Sequence, residues 1–288
     1  MTSPKLAAGL SALTDRYDVL LCDVWGVIHN GREAFPVACE ALTRFRAQGG
    51  EVVLISNAPR PNAGVITQLD ALGVPREAYS LVVTSGDATR KLLTARAPGP
   101  AWKLGPGRDD PLYDGLGLSF SDLDEARFIA CTGPFDDEAE TPEDYRERFR
   151  GAVARGLLMI CANPDIVVQR GDKLIYCGGA LAQLYEALDG QVAMAGKPYA
   201  AIYDLALAEA AGLKDGALVD RARVLCVGDG PRTDLRGANA QGLDALFIAA
   251  GIHGQEILAS GRLDVAMMDH VFETEGVTAT WAMAELVW

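Results

Sequence analysis

Histidine, positive charge and long apolar runs are all scarce in this sequence, and each shortage removes a class of function. Only 3 histidines are present among 288 residues, and none of the 6 cysteines forms a CxxC pair. The usual spacings of a zinc site or a dithiol redox centre are therefore missing. Lys and Arg number 26 against 39 Asp and Glu, a formal net charge of −13. A surface for nucleic acid or anionic lipid needs clustered basic side chains, so neither is an expected partner. No segment reaches the ~18 apolar residues of a membrane-spanning helix, and residues 1–15 lack the apolar core of a secretion signal. Cys22, Cys39, Cys131, Cys161, Cys177 and Cys226 lie far apart, several inside apolar strand-like runs. They are expected as reduced, packed thiols in a cytoplasmic protein.

What is present is a globular composition, with 49% apolar residues and 31 glycines, in a chain long enough for two domains. A short leading helix is expected over 6–14. The runs Val19–Cys22, Glu51–Asn57 and Ser80–Thr84 read as buried strands, alternating with helix-period segments at 34–48, 65–72 and 88–94. Repeated strand, loop and helix mean a parallel sheet with right-handed crossovers. The pattern breaks at 95–117, where Gly, Pro and Asp carry turn signals. Strands follow at 127–132 and 157–161, with a helix start at Thr141-Pro142 between them. A hairpin pairs 166–168 with 174–177, and a helix covers 180–188. After a short strand at 192–194 the first pattern returns. A helix runs from Gly196 to about Ala211, strands lie at 223–229 and 244–249 around a helix at 235–241, and Gly251–Gly254 opens a further helix. The economical division is an α/β core at 1–86 and 190–288, interrupted by an inserted α/β domain at 87–189.

Three strand ends carry polar groups: Asp23, then Ser56 with Asn57, then Asp229 with Asp234; Lys197 sits in a loop. In open α/β sheets ligands bind at the carboxyl ends of the strands, so these residues converge on one edge. Gly26 and Gly31 let the loop after Asp23 bring backbone N–H groups close to a ligand. Each residue alone is an ordinary turn residue; together they match phosphoryl transfer through an aspartate. A carboxylate nucleophile splits hydrolysis into two steps. Carboxylate and phosphate repel, so a hard cation must lie between them, and Asp23 with Asp229 supply oxygen ligands suited to Mg²⁺. Lys197 offers a point charge. The Ser56 hydroxyl, with amide or backbone donors of Asn57, would bind the remaining phosphate oxygens.

In this order the residues resemble the haloacid dehalogenase-like (HAD) hydrolases, in their class IIA, NagD-like branch, over nearly the whole chain. Asp23-Val-Trp-Gly-Val27 stands at the first motif, with Gly31 and Pro36 after it. Ser56-Asn57 stands at the second, Gly196-Lys-Pro198 at the third and Gly228-Asp-Gly-Pro-Arg-Thr-Asp234 at the fourth, while Asn163-Pro-Asp165 also recurs in this branch. The resemblance implies a Rossmann-like core with an α/β cap inserted between the second and third motifs. It also implies Mg²⁺-dependent release of phosphate from a small phosphorylated metabolite. By the same resemblance Asp23 is the nucleophile, and the metal is held by Asp23, Asp229 and the backbone carbonyl of Trp25. Trp25 and Gly26 border the substrate, and Asp234 orients bound water or Lys197. Caps of this type often lie at dimer contacts, which points to a homodimer through the cap.

One position departs from the pattern. Phosphatases of the family carry a second Asp two residues after the nucleophile as general acid and base, assistance worth ~10²–10⁴-fold; here that residue is Trp25. His29, a few residues on, is the nearest replacement. Two alternatives follow: a member that binds a phosphorylated ligand with little turnover, and a metal-free haloacid dehalogenase, which also carries an aromatic residue at this position but lacks the Asp229 and Asp234 pair. Arg60 and Arg232 each follow a motif and read either as contacts to substrate anions or as surface ion pairs. The aromatic residues of the insert are expected in its core. The preferred reading is a phosphoric monoester hydrolase.

Overall fold

Short branched runs, buried on both faces, organise the chain as parallel sheets that helices cover. The structure, a computed structural model, describes residues 3–170, 173–213, 218–251, 254–259 and 262–288. Its strands in chain order are β1 (Lys5–Leu6), β2 (Val19–Asp23), β3 (Glu51–Ser56), β4 (Leu81–Thr84), β5 (Ala101–Leu104), β6 (Phe128–Cys131), β7 (Leu158–Cys161), β8 (Val167–Arg170), β9 (Lys173–Tyr176), β10 (Gln191–Met194), β11 (Val224–Gly228), β12 (Asp244–Ile248), β13 (Leu258–Ala259), β14 (Arg262–Leu263) and β15 (Trp281–Met283). By compactness the chain forms two units, one of Met1–Ser56, Ile66–Val83 and Tyr203–Trp288, the other of Asn57–Val65 and Thr84–Ile202. The sequence places 57–65, 84–86 and 190–202 with the core. In the structure these segments group with the inserted residues.

The first unit is built on a seven-stranded sheet of order β1-β15-β12-β11-β2-β3-β4, parallel from β1 through β3. All five residues of β2 are buried, the mark of a central strand covered on both sides. The helix Pro36–Ala47 starts on a proline at its first turn and buries Ala38, Cys39, Ala41, Leu42 and Phe45 on one stripe. The leading helix expected over 6–14 does not form. Leu6 pairs with Ala282, only Leu10–Ala12 makes a 3-10 turn, and the Leu10 N–H donates to the Val287 carbonyl. Contacts from the far end of the sequence thus override the local helical period. The helix Val265–Glu275 and strand β15 were not foreseen at all. Of the expected opening at 251–254, Ile252 and His253 lie outside the described residues, and a helix covers Gly254–Ile257.

The second unit carries a four-stranded parallel sheet, β10-β7-β6-β5. Its side chains alternate between faces. Trp102, Ile129, Met159 and Cys161 join Tyr145, Phe149, Leu181 and Tyr185 on one side, while Ala101, Phe128 and Ile160 join Leu93, Leu112 and Tyr113 on the other. The expected hairpin is present as antiparallel β8 and β9. Strand β5 falls inside the segment read as turns, because Pro98, Gly99 and Pro100 precede it and a glycine pair follows, hiding four strand residues. The insert's aromatics are core: Phe149 stacks on Tyr145 at 5.8 Å and meets Tyr185 edge-on at 5.2 Å. The Tyr185 hydroxyl donates to the Leu157 carbonyl at 2.6 Å. All six cysteines are buried thiols outside any disulfide. Among the described residues no helix is long and apolar enough to cross a membrane.

Phe149 is fully buried at the centre of this aromatic group. Phe149→Ala removes a ring that the neighbours cannot replace and is expected to cost about 3–5 kcal/mol, read as a lowered midpoint of urea unfolding.

Candidate active site

From β2 the chain winds through β3 to β4 on one side, and from β11 through β12 to β15 on the other. Strands β2 and β11 are adjacent, so the loops leaving their carboxyl ends part company and open a crevice between them. Asp23 is the last residue of β2, paired with Ile55 of β3; Cys22 pairs with Val227 of β11. Asp23, Ser56 and Asp229 therefore leave the same edge of the first unit from three neighbouring strands. One carboxylate oxygen from each of Asp23, Asp229 and Asp234 lies within 4.8 Å of the other two, and the residues are only 8%, 6% and 3% exposed.

Local backbone geometry makes this crowding achievable. Pro231–Leu235 forms a π-helical turn in which the Asp234 N–H donates to the Gly230 carbonyl at 2.8 Å, and Asp234 Oδ2 accepts from the Gly230 N–H at 3.1 Å. Asp23 Oδ1 accepts from the Val24 N–H at 2.7 Å. Two loops close on Asp229. A Cβ on Gly26, whose φ is +83°, would sit 2.2 Å from Asp229 Oδ2, and one on Gly251 would sit 1.9 Å from it. The sequence singles out Gly26 for the site but reads Gly251 only as the opening of a helix. Its signal was a glycine just past the end of β12, the strand beside β11.

Three buried carboxylates this close repel one another, and a cation sharing their field would offset that repulsion. The donor set, all carboxylate oxygen, suits a hard divalent ion such as Mg²⁺ and not a thiophilic metal. Asp23, Asp229 and Asp234 together could hold such an ion.

The loop from Trp25 to Gly31 is built around an indole. A Cβ on Gly31, at φ +85°, would lie 2.5 Å from Trp25 Cη2, and the Trp25 and His29 rings meet edge-to-face at 5.1 Å. The Gly26 N–H donates to the His29 carbonyl at 2.8 Å. His29 Nδ1 accepts from the Gly31 N–H at 3.0 Å, which leaves the ring proton on Nε2. Burial pushes the imidazole down from 6.5 to about 4. At neutral pH His29 is therefore an uncharged buried brace and carries no second ring proton to give.

The other sequence-derived residues, Asn57 and Lys197, belong to the second unit. Both are buried. Asn57 Oδ1 accepts from the Lys197 N–H at 2.7 Å, and Asn57 Nδ2 donates to the Lys197 carbonyl at 3.1 Å and to Asp165 Oδ1 at 2.8 Å. The side-chain amide is thus engaged at both ends in fixing the Lys197 backbone. Of the donors expected for phosphate at this position, that leaves the main chain. Arg232 is an exposed ion-pair residue, its Nε donating to Glu275 Oε1 at 2.8 Å. Arg60 Nε stands 3.9 Å from the buried Asp109 carboxylate.

Gly251→Ala should displace the Asp229 carboxylate. The wild type is expected to gain thermal stability on Mg²⁺ addition, by ~2.7 kcal/mol at a hundredfold excess over Kd, and the variant to lose most of that gain. The lowered His29 pKa carries its own consequence. The unfolded chain takes up a proton near pH 6.5 that the folded chain refuses until about pH 4. This residue therefore makes no difference above pH 7 and reduces stability by roughly 1.4 kcal/mol per pH unit as pH falls through the window. Unfolding free energies between pH 7 and 4.5 should fall less steeply in His29→Asn, by about one proton's linkage.

Comparison with known proteins fits this geometry. Sequence profiles described as "Haloacid dehalogenase-like hydrolase" and "HAD-hyrolase-like" match residues 20–119 and 194–274. A solved haloacid dehalogenase-like hydrolase from Brucella suis 1330 is 45% identical, with a TM-score of 0.88, covering 98% of this chain and 100% of the other. D-glycerol 3-phosphate phosphatase of Mycobacterium tuberculosis is 28% identical over 85% of this chain, which spans 66% of that relative's length. The fold is also shared with the crystal structure of a glycerol phosphate phosphatase from the same organism in complex with magnesium, at a TM-score of 0.67 and 23% identity, covering 99% of this chain and 77% of that one. By the two profile matches and by 45% identity to a solved hydrolase covered over its full length, the chain belongs to the haloacid dehalogenase-like hydrolases.

Proposed function

We propose that this hydrolase is a Mg²⁺-dependent phosphatase of the class IIA, NagD-like branch that releases phosphate from a small phosphorylated metabolite in the cytoplasm. The observation that carries the reading is the buried cluster of Asp23, Asp229 and Asp234 at the switch point of the parallel sheet. Asp23 is the nucleophile: one carboxylate oxygen bonds to phosphorus, the leaving oxygen departs, and water then releases phosphate from the aspartyl intermediate. Asp23, Asp229 and the Trp25 carbonyl would hold the ion, which supplies Lewis-acid charge stabilisation when bound. Asp234, fixed by the Gly230 N–H, orients the ligands from behind.

The Ser56 hydroxyl and main-chain donors at Asn57 and Gly26 bind phosphate oxygens, and the Lys197 ammonium neutralises charge there. Asn57 earns its place by fixing the Lys197 backbone and by tying it to Asp165. The inserted residues 87–189 act as a cap that excludes water and selects the substrate, and a homodimer through that cap is the proposed assembly. The acidic cluster supports this reading over a metal-free dehalogenase, because three close carboxylates call for a cation.

Phosphate release from a panel of phosphorylated metabolites tests the proposal, with Mg²⁺ and with a chelator. Release is expected to need the ion and to fall by about 10³-fold or more in Asp23→Asn. Retention of turnover in that variant removes the aspartyl mechanism. Metal-dependent binding of phosphorylated ligands by the wild type, without release, would mark instead a ligand-binding member of the family.

A further inference from the structure

The segment 23–31 wraps the acidic cluster: Asp23 belongs to it, and Gly26 lies against Asp229. Only two side chains in this segment titrate, Asp23 and His29. The first is the proposed nucleophile. The second is 1% exposed, and its Nδ1 is taken by the Gly31 N–H. Between them stands a half-buried indole for which Gly31 leaves room and against which His29 is set edge-on. Two residues, Gly31 and His29, are thus fitted around a side chain that has no acidic proton, which is the mark of a built feature and not of a lost one.

We infer that Trp25 is a specificity-determining residue that restricts Asp23 to phosphates whose leaving group departs without a proton, namely acyl phosphates and the phosphates of acidic hydroxyls such as phenols and enols. The inference rests on the phosphatase reading above. In the first step an Asp23 oxygen bonds to phosphorus while the bond from phosphorus to the leaving oxygen breaks. That oxygen keeps the electron pair and leaves as a carboxylate, phenolate or enolate. Water then attacks the phosphorus of the aspartyl phosphate and the Asp23 carboxylate is restored. One proton of that water stays on phosphate and the other passes to solvent. A carboxylate leaving group, with a conjugate acid near pKa ~4, needs no help, and a phenolate near ~10 needs little. An alkoxide, about as basic as hydroxide with a conjugate acid near ~16, forfeits the ~10²–10⁴-fold that a general acid supplies.

The test is a leaving-group series: acetyl, p-nitrophenyl, phenyl and glycerol 3-phosphate, each with wild type, Trp25→Asp, Trp25→Phe and Asp23→Asn. The wild type is expected to turn over the first two and to fall by at least ~10²-fold at the alkyl ester. Trp25→Asp should raise alkyl turnover by a comparable factor with no such gain on acetyl phosphate, and Trp25→Phe should keep the wild-type order. Wild-type rates on the alkyl ester within tenfold of those on p-nitrophenyl phosphate overturn the inference and leave the phosphatase reading standing. The wild-type slope decides this even if Trp25→Asp fails to fold. Turnover of acetyl and aryl phosphates that survives Asp23→Asn, or no turnover of any member, overturns the phosphatase reading itself.

Discussion

Mutual repulsion among Asp23, Asp229 and Asp234 is the constraint around which the first unit is arranged. Bringing three carboxylates within 4.8 Å under nearly complete burial is unfavourable by several kcal/mol unless charge is neutralised or hydrogen-bonded. The structure meets that demand with fixed dipoles and with space. Main-chain N–H groups of Val24 and Gly230 face two of the carboxylates, and glycines stand wherever a Cβ would fill the volume around the third. The sheet topology fixes where the cluster can be, since only between β2 and β11 do the two windings separate.

The second unit solves a different problem, the placement of one ammonium group. Lysine is a flexible point charge with large rotamer freedom. Anchoring its backbone on both the N–H and the carbonyl through a single Asn57 amide removes the main-chain part of that freedom. The third Asn57 contact, to Asp165, couples the anchor to the loop that follows β7. A movement of residues 163–165 within this unit therefore reaches the lysine through one side chain. The chain passes from one unit to the other between Ser56 and Asn57, so the two halves of a single dipeptide serve separate structural tasks.

Much of this was legible from sequence because buried parallel strands announce themselves. Val19–Asp23, Glu51–Ser56 and Val224–Gly228 are short branched runs that break into Asp, Ser or Gly, and the polar residues at their ends fall at one edge by topology alone. Elements that depend on distant partners were not legible. Leu6 enters a strand only because Ala282 is there to pair with it, and Ala101–Leu104 is masked by flanking prolines and glycines although Trp102 and Leu104 fill the core. The site divides the same way. Asp23, Asp229 and Asp234 follow from strand-end chemistry. The engagement of the Asn57 amide by Lys197, and of Gly251 by Asp229, requires knowing which loops meet. Trp25 was visible as a departure, while its cradle of Gly31 and His29 was not.

An acidic chain that handles an anion must separate local from global electrostatics. With a formal net charge of −13 the protein offers an approaching phosphate no general attraction. At physiological ionic strength, however, exposed charges farther than about 8 Å are largely screened, so the local sum at the site decides binding. Under the proposed assignment three carboxylates and one divalent ion leave the first unit's strand ends with no excess positive charge before the phosphate arrives. On that proposal binding depends on oriented groups rather than on excess positive charge: the hydroxyl of Ser56 and main-chain N–H donors beside it. Such a site favours a ligand that matches those directions over anions in general.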